Sequence, residues 1–302
     1  IKGSVSQRHD IILTNPPFGG TEGRHIQENF PVRSNATELL FLQHILKKLK
    51  QTPNARCAMV VPEGTLFRGG AFAEVKKELL EAFHLFAVVS LPPGTFSPYS
   101  DVKTALLFFK RPDEVLERNP QAREETWYYE LPLPEGLKKF SKGSPILDEH
   151  FSEARQMWKQ WKRYLNGEGE RPFEYAADIR ARWQVHFAWE AYRAALEKGG
   201  EAERPQSEPD DDSVTQAAHA AEGPKPPEPY TSWVERREDL VKRNYDLSAR
   251  NPNQDDRITL PHPAEITARL LERTRELQSI LENLHSLVSN LEFRQNPGRF
   301  CP

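Results

Sequence analysis

Cysteine is nearly absent from this sequence, with only two among 302 residues. Cys57 lies inside an apolar run and Cys301 at the far end, so no paired spacing supports a disulfide framework or a zinc site, and a reducing, cytoplasmic setting is expected. A basic surplus is missing too. Lysine and arginine number 41 against 44 acidic residues, for a net charge of −3, so the global balance does not mark a nucleic-acid binder and leaves only local basic patches open. No apolar stretch approaches the ~18 residues that a membrane span needs. The start also lacks the charged-then-apolar pattern of a secretory signal. The chain is read as soluble and intracellular, with no membrane partner. Its first residue is Ile1, nine residues before a strong strand signal and with no initiator methionine, so a piece of a longer protein is expected.

What is present from Asp10 to Lys110 is an alternation of short apolar runs with helical periodicity, the pattern of a parallel α/β sheet. Ile11, Ile12 and Leu13 form a first strand. After a long polar loop, Leu39, Leu42, Leu46 and Leu49 recur at spacings of three and four, predicting an amphipathic helix over 38–50. Cys57–Val61 is a second strand stopped by Pro62, and 71–83 a helix. Leu85–Leu91 and Ala105–Phe109 are third and fourth strands, separated by the turn-rich segment 92–101. This order implies an open sheet with helices on both faces.

Beyond Arg111 the character changes. Five prolines punctuate 112–145, around one strand candidate at Trp127–Leu131, and helices are expected over 149–165 and 175–198. These carry Trp158, Trp161, Trp183 and Trp189, for which the reading favours core packing over base stacking. Between 199 and 229, six prolines, the acidic run 210–212 and a single large aliphatic residue, Val214, predict a flexible linker. From 230 onwards ordered composition returns. Leu270, Leu277, Leu284 and Leu291 recur every seven residues, with Leu281 and Val288 in the complementary position. That helix face is open to two readings, packing within the chain or assembly with another subunit. The division is therefore a half of a catalytic domain over 1–111, a Trp-rich mixed segment over 112–198, the linker over 199–229 and a helical assembly region over 230–302.

The residues with a chemical message are Asn15-Pro16-Pro17-Phe18, directly after the first strand and ahead of Gly19-Gly20. In an open sheet the carboxyl ends of parallel strands face the ligand crevice. An exocyclic amine on adenine is a poor nucleophile because its lone pair is delocalised into the ring. The Asn15 side-chain carbonyl and the Pro16 backbone carbonyl can accept hydrogen bonds from that amine and favour a pyramidal nitrogen. The two prolines fix the acceptors in advance, and Phe18 offers a flat face for an extruded base. A plain turn after a strand is the competing reading of the same tetrapeptide. Nearby, the loop 21–36 with Arg24, His25 and Arg33 is long enough for a role in closing over a substrate, or is mobile surface. The segment 97–104 is a turn that offers Tyr99 and Lys103.

The run Asp10–Gly20 resembles the catalytic motif of adenine-N6 DNA methyltransferases. Three further stretches, Glu38–Leu42, Val60–Phe67 and Leu91–Phe96 leading into Val102–Phe109, resemble the modification subunits of type I restriction-modification systems in particular, as does Asn244-Tyr245-Asp246-Leu247-Ser248 with Asn251-Pro252. The resemblance implies a Rossmann-like methyltransferase sheet, S-adenosylmethionine as methyl donor and DNA as substrate. It also implies a specificity subunit and a restriction subunit as partners. Carried over by position, Asn15, Pro16, Pro17 and Phe18 are the catalytic residues, and Asn15 also lies near the cofactor.

One departure stands against it. No glycine-rich turn and following acidic residue precede Asp10, and neither Gly19-Gly20 nor Gly69-Gly70 replaces them, so the chain alone is expected to bind the cofactor poorly and to be inactive. Two other functions remain in view: methylation of a protein glutamine amide, whose enzymes share Asn-Pro-Pro but place Tyr fourth, and a non-catalytic assembly module built on the heptad helix.

Overall fold

The computed structural model describes residues 8–53, 55–197 and 231–252, together with Thr274 and Gln278. The chain divides into two compact units, Ile1–Gln254 and Asp255–Pro302. The linker expected over 199–229 and nearly all of the heptad helix lie outside the described residues; Thr274 and Gln278 are helical.

The first unit runs β1 (Ile11–Thr14), α1 (Arg24–Gln27), α2 (Thr37–Lys48), β2 (Arg56–Pro62), α3 (Glu63–Phe67), α4 (Ala71–Ala82), β3 (His84–Leu91), β4 (Thr104–Lys110), α5 (Glu114–Arg118), α6 (Pro120–Arg123), β5 (Glu125–Glu130), α7 (Ser152–Leu165), α8 (Ala176–Glu197), β6 (Ser232–Arg236) and α9 (Arg237–Lys242). Among the described residues one six-stranded sheet has the order β1-β2-β4-β3-β5-β6. β1 runs parallel to β2 and β3 parallel to β5, while β4 is antiparallel to both its neighbours and β6 antiparallel to β5. The sheet is thus mixed where the apolar rhythm predicts a parallel one. A parallel neighbour needs a crossover, usually helical, and the segment between β3 and β4 contains no helix, so the chain folds back as a hairpin. β5 and β6, from the Trp-rich segment and the C-terminal region, extend the same sheet.

Alternation along the strands sorts two cores. Cys57, Met59 and Val61 of β2, Ala105, Leu107 and Phe109 of β4, and Tyr128 of β5 face α2 and α4, whose Leu39, Leu42, Val75 and Leu79 are fully buried. On the other face Phe86, Val89, Trp127 and Tyr129 pack with α7 through Ala154, Trp161 and Tyr164. Helices therefore cover both faces. Trp161 and Trp189 are buried and Trp158 packs on the second core, so these rings serve packing. That second face is covered only in part: Ile11 and Leu13 of β1 are 51% and 76% exposed and, with Phe108 and Trp158, border an apolar groove of ≈ 400 Å³.

Charge inside the first core has one notable case. Lys76 on α4 is fully buried and its ammonium donates to the carbonyls of Leu66 and Arg68, closing the end of α3. Leu247 N–H donates to the same Leu66 carbonyl at 3.0 Å, and the Tyr128 hydroxyl donates to Leu247 O at 3.3 Å, so the Asp246–Ala249 stretch docks against α3 and β5. Burial pulls the Lys76 pKa down from 10.5 to about 8, partly opposed by Asp246. Between those values the unfolded chain binds the extra proton, so stability rises with pH in that window. The wild-type protein should gain on the order of 2–3 kcal/mol relative to Lys76→Met between about pH 7 and pH 10 in denaturant unfolding, as the desolvation cost is relieved. A flat difference would contradict a buried charged Lys76.

Candidate active site

The carboxyl ends of β1, β2, β3 and β5, at Thr14, Pro62, Leu91 and Glu130, share one rim of the sheet, and the amino ends of β4 and β6 come to the same rim. Asn15 is the first residue past β1. It is exposed, and its side chain makes no hydrogen bond with a described residue. Pro16 is buried, Pro17 exposed and Phe18 partly exposed. The turn thus has a buried anchor with an available amide on one side of it.

The chain leaves this turn through a close backbone approach. Gly19 has φ +67°, a left-handed conformation that favours glycine. At Gly20 a Cβ would lie 2.4 Å from Thr37 Oγ1, and Gly20 O accepts from Thr37 N at 3.1 Å. The carbonyl of the turn therefore satisfies one of the open N–H groups at the start of α2. Glu38, in the same helical turn, is buried and lies 3.6 Å from Arg68, where a carboxylate is favoured by the helix dipole.

The loop 21–36 is tied down rather than loose. Thr21 bridges Ala36, Glu22 N donates to Asn35 O at 2.8 Å, and Thr37 Oγ1 donates to Glu22 Oε1 at 3.0 Å. Gln43, buried on α2, uses its whole amide on Val32: Val32 N donates to Oε1 at 3.1 Å and Nε2 donates to Val32 O at 2.9 Å. Arg24, His25 and Arg33 are all exposed on this fastened loop.

The opposite wall comes from the β3–β4 connection. The Phe18 and Phe96 rings meet edge to face, centroids 5.7 Å apart, an arrangement that aromatic quadrupoles favour. Thr95 Oγ1 donates to Pro92 O at 2.7 Å. Gly94 has φ +78°, and a Cβ there would sit 2.0 Å from the carbonyl oxygen of Phe140. Phe140 N donates to Pro93 O at 3.1 Å. Of the residues the sequence offered from 97–104, Tyr99 is 94% exposed. Lys103 bridges Glu63 at 3.3 Å and Glu130 at 3.6 Å, joining the ends of β2 and β5 across the rim. Sequence reasoning assigned no role to Phe96, Gly94 or Gln43. Leu91–Phe96 stood out only as a matching stretch, and nothing in the local pattern reports which ring faces Phe18.

With this geometry in hand, the sequence matches the N-6 DNA methylase family over residues 2–189. The chain belongs to that family. It is 41% identical over 157 residues to the methylase subunit of the type I restriction enzyme EcoEI of Escherichia coli, covering 51% of this chain and 30% of that protein. It is 30% identical over 169 residues to the EcoKI methylase subunit of E. coli strain K12, covering 56% and 31%. Among solved structures, one from work on complex assembly and conformational transition of the type I R-M system is 52% identical, with a TM-score of 0.59, over 95% of this chain and 46% of that one. The type I restriction enzyme EcoKI M protein, at 24% identity and a TM-score of 0.50, supports the fold alone. The chain spans from under a third to about half the length of these relatives.

The Gln43 clamp can be tested without activity. Gln43→Ala removes both partners of Val32, and at about 1 kcal/mol per hydrogen bond should lower unfolding stability by about 2 kcal/mol. It should also open the fastened loop to trypsin at Arg24 and Arg33 under native conditions. Unchanged cleavage would mean the clamp does not hold the loop.

Proposed function

We propose that this chain supplies the amine-binding half of an S-adenosylmethionine-dependent adenine-N6 DNA methyltransferase. In this reading it is part of the modification subunit of a type I restriction-modification complex, working in the cytoplasm with a specificity subunit and a restriction subunit. The observation that carries the reading is the exposed Asn15 amide, bonded to no described residue, next to the buried Pro16, at the carboxyl end of β1 and beside the partly exposed Phe18. Oxygen acceptors held this way lose little entropy on meeting an NH2 group, and their attraction grows as positive charge builds on the nitrogen in the transition state. Phe18 stacks the extruded base. The methylated amine releases its proton to solvent, so no side chain with a shifted pKa is required at the rim. Membership of the N-6 DNA methylase family and Phe in the fourth place favour DNA over a protein glutamine. The observed sheet and rim favour catalysis over assembly alone.

The described residues do not by themselves make a complete cofactor site. Asn15 is the one residue assigned to the donor's methyl group, and neither glycine pair forms the strand–turn–helix cradle with a following acid that S-adenosylmethionine needs. Gly19-Gly20 leads into the loop before α1, and Gly70 opens α4, which precedes β3. The cofactor supplies an electrophilic methyl group; the residues here orient the acceptor amine.

Asn15→Ala in the full-length protein, assembled with its specificity subunit, should lower methyl transfer to DNA by about a thousandfold or more, in line with loss of a preorganised transition-state contact. Its unfolding curve should match the wild type, since the side chain is exposed and makes no hydrogen bond with a described residue. Retained transfer of radiolabelled methyl groups would remove Asn15 from the mechanism, and transfer to a peptide glutamine but not to DNA would remove the substrate assignment.

A further inference from the structure

We propose that the strap 131–144, which leaves the rim after β5, is a phosphate-gripping surface. In it Lys138, Lys139 and Lys142 hold the backbone of the DNA strand beside the target base. The inference rests on the reading of Asn15–Phe18 as a site for a base in DNA, and deepens it by naming where the duplex lies.

The argument begins with charge. The chain as a whole carries −3, yet the strap, Leu-Pro-Leu-Pro-Glu-Gly-Leu-Lys-Lys-Phe-Ser-Lys-Gly-Ser, has three lysines against one glutamate. All three lysines are exposed. A solvated turn would carry such charge without consequence if it were loose, and this one is not. Phe140 is buried at the centre of the lysine cluster. Its backbone N–H bonds Pro93 O, and its carbonyl packs so tightly on Gly94 that no side chain fits there. Ser141 and Ser144 close a small bridge, and the His150 ring stands 5.1 Å from that of Phe140. Two residues beyond Gly94 is Phe96, whose ring meets Phe18. The lysines are therefore in fixed register with the ring proposed to stack the base, which is the relation that backbone contacts need in order to position a nucleic acid without reading its sequence.

The acids on this side of the rim hold them only weakly. Glu63 and Glu130 are occupied by Lys103; Asp148 pairs with Arg155 at 2.6 Å but is 90% exposed, and Glu135 and Glu149 are exposed and form no ion pair with a described residue. Asp101 pairs with Lys139 at 3.0 Å, but both are more than half exposed, and such a pair is weak and open to exchange for a phosphate. Lys138 and Lys142 form no ion pair with a described residue. Lys47 and Lys48, by contrast, stand at the far end of α2, where Lys48 O accepts from His9 N, at the opposite end of β1 from Asn15.

The test uses the full-length protein in complex with its specificity subunit and duplex DNA bearing the complex's recognition sequence. Binding is followed by fluorescence anisotropy from roughly 50 to 250 mM salt. Each phosphate contact contributes about 0.9 to the slope of log K against log salt, so changing Lys138, Lys139 and Lys142 together to alanine should reduce that slope by about two to three. The KM for DNA should rise about tenfold or more, with kcat at saturating DNA retained. Lys47→Ala with Lys48→Ala should leave the slope as in the wild type. An unchanged slope in the triple variant overturns the proposal, as does loss of the specificity subunit from the purified complex with normal DNA binding by what remains, which would make the strap a protein-docking surface. Phe18→Ala separates this outcome from failure of the site itself. It should lower kcat and keep the slope, and if it leaves transfer intact the stacking role fails while the lysine result can still be read.

Discussion

The contact on which the rim depends is the meeting of Gly20 with Thr37. A peptide carbonyl and a helix-start N–H come together at 3.1 Å only because position 20 has no side chain; a Cβ would stand 2.4 Å from the threonine hydroxyl. Through it the turn after β1 is fastened to the first turn of α2, whose Leu39, Leu42 and Leu46 are locked into the first core. Among the described residues β1 has a single hydrogen-bonded neighbour, β2. Without the fastening to α2, the Asn15 turn would hang from the end of a four-residue edge strand, where fraying is the ordinary behaviour of a chain with few buried contacts. The prolines restrict the turn internally; Gly20 and Thr37 place it.

A second set of constraints converges from the other side. Phe96 reaches Phe18 from the β3–β4 hairpin, that hairpin is keyed through Gly94 to Phe140, and Lys103 spans from β2 to β5 above the strand ends. Each is local chemistry: a ring pair, a missing Cβ, an ion bridge. Together they give the rim two stiff walls with the available amide between them. A site that must hold a weakly nucleophilic amine gains from this stiffness, because acceptors already in place cost no reorganisation when the base arrives.

Much of this architecture was legible because local and tertiary signals agree. Apolar runs at 57–61, 85–91 and 105–109 are strands within a residue or two, and the leucine spacing of 38–50 is a helix over 37–48. The parallel sheet expected from that rhythm was not correct at β4, since apolarity reports burial and not direction, and direction follows from the helix-free connection. β6 was missed: Ser-Trp-Val-Glu-Arg is short, and its partner β5 lies more than a hundred residues away, so no window of sequence holds both. The loop 21–36 looked long and polar because its fastening uses backbone groups and one distant glutamine, Gln43, whose helical position gave no hint of its partner. Within the site, the Asn-Pro-Pro-Phe chemistry was readable from residue types, whereas Phe96 and Gly94 became visible only once the hairpin was folded beside β2, with its connection reaching Phe18.

The exposed side of β1 follows from the same logic. Ile11 and Leu13 point to the second face of the sheet, where β3, β4, β5 and β6 present apolar groups to the second core, yet these two are 51% and 76% exposed and border an apolar groove. Soluble proteins protect sheet edges with charge, proline or a covering element, and β1, Ile-Ile-Leu-Thr, has none of the first two. Its sequence is that of an interior strand, and at about 25 cal/mol per Å² of apolar surface removed from water, covering it would return a few kcal/mol. The amine-binding turn therefore grows from a strand whose second face suits an apolar covering layer. Such a layer would stiffen the strand that carries Asn15, since buried contacts are what hold an edge strand against fraying.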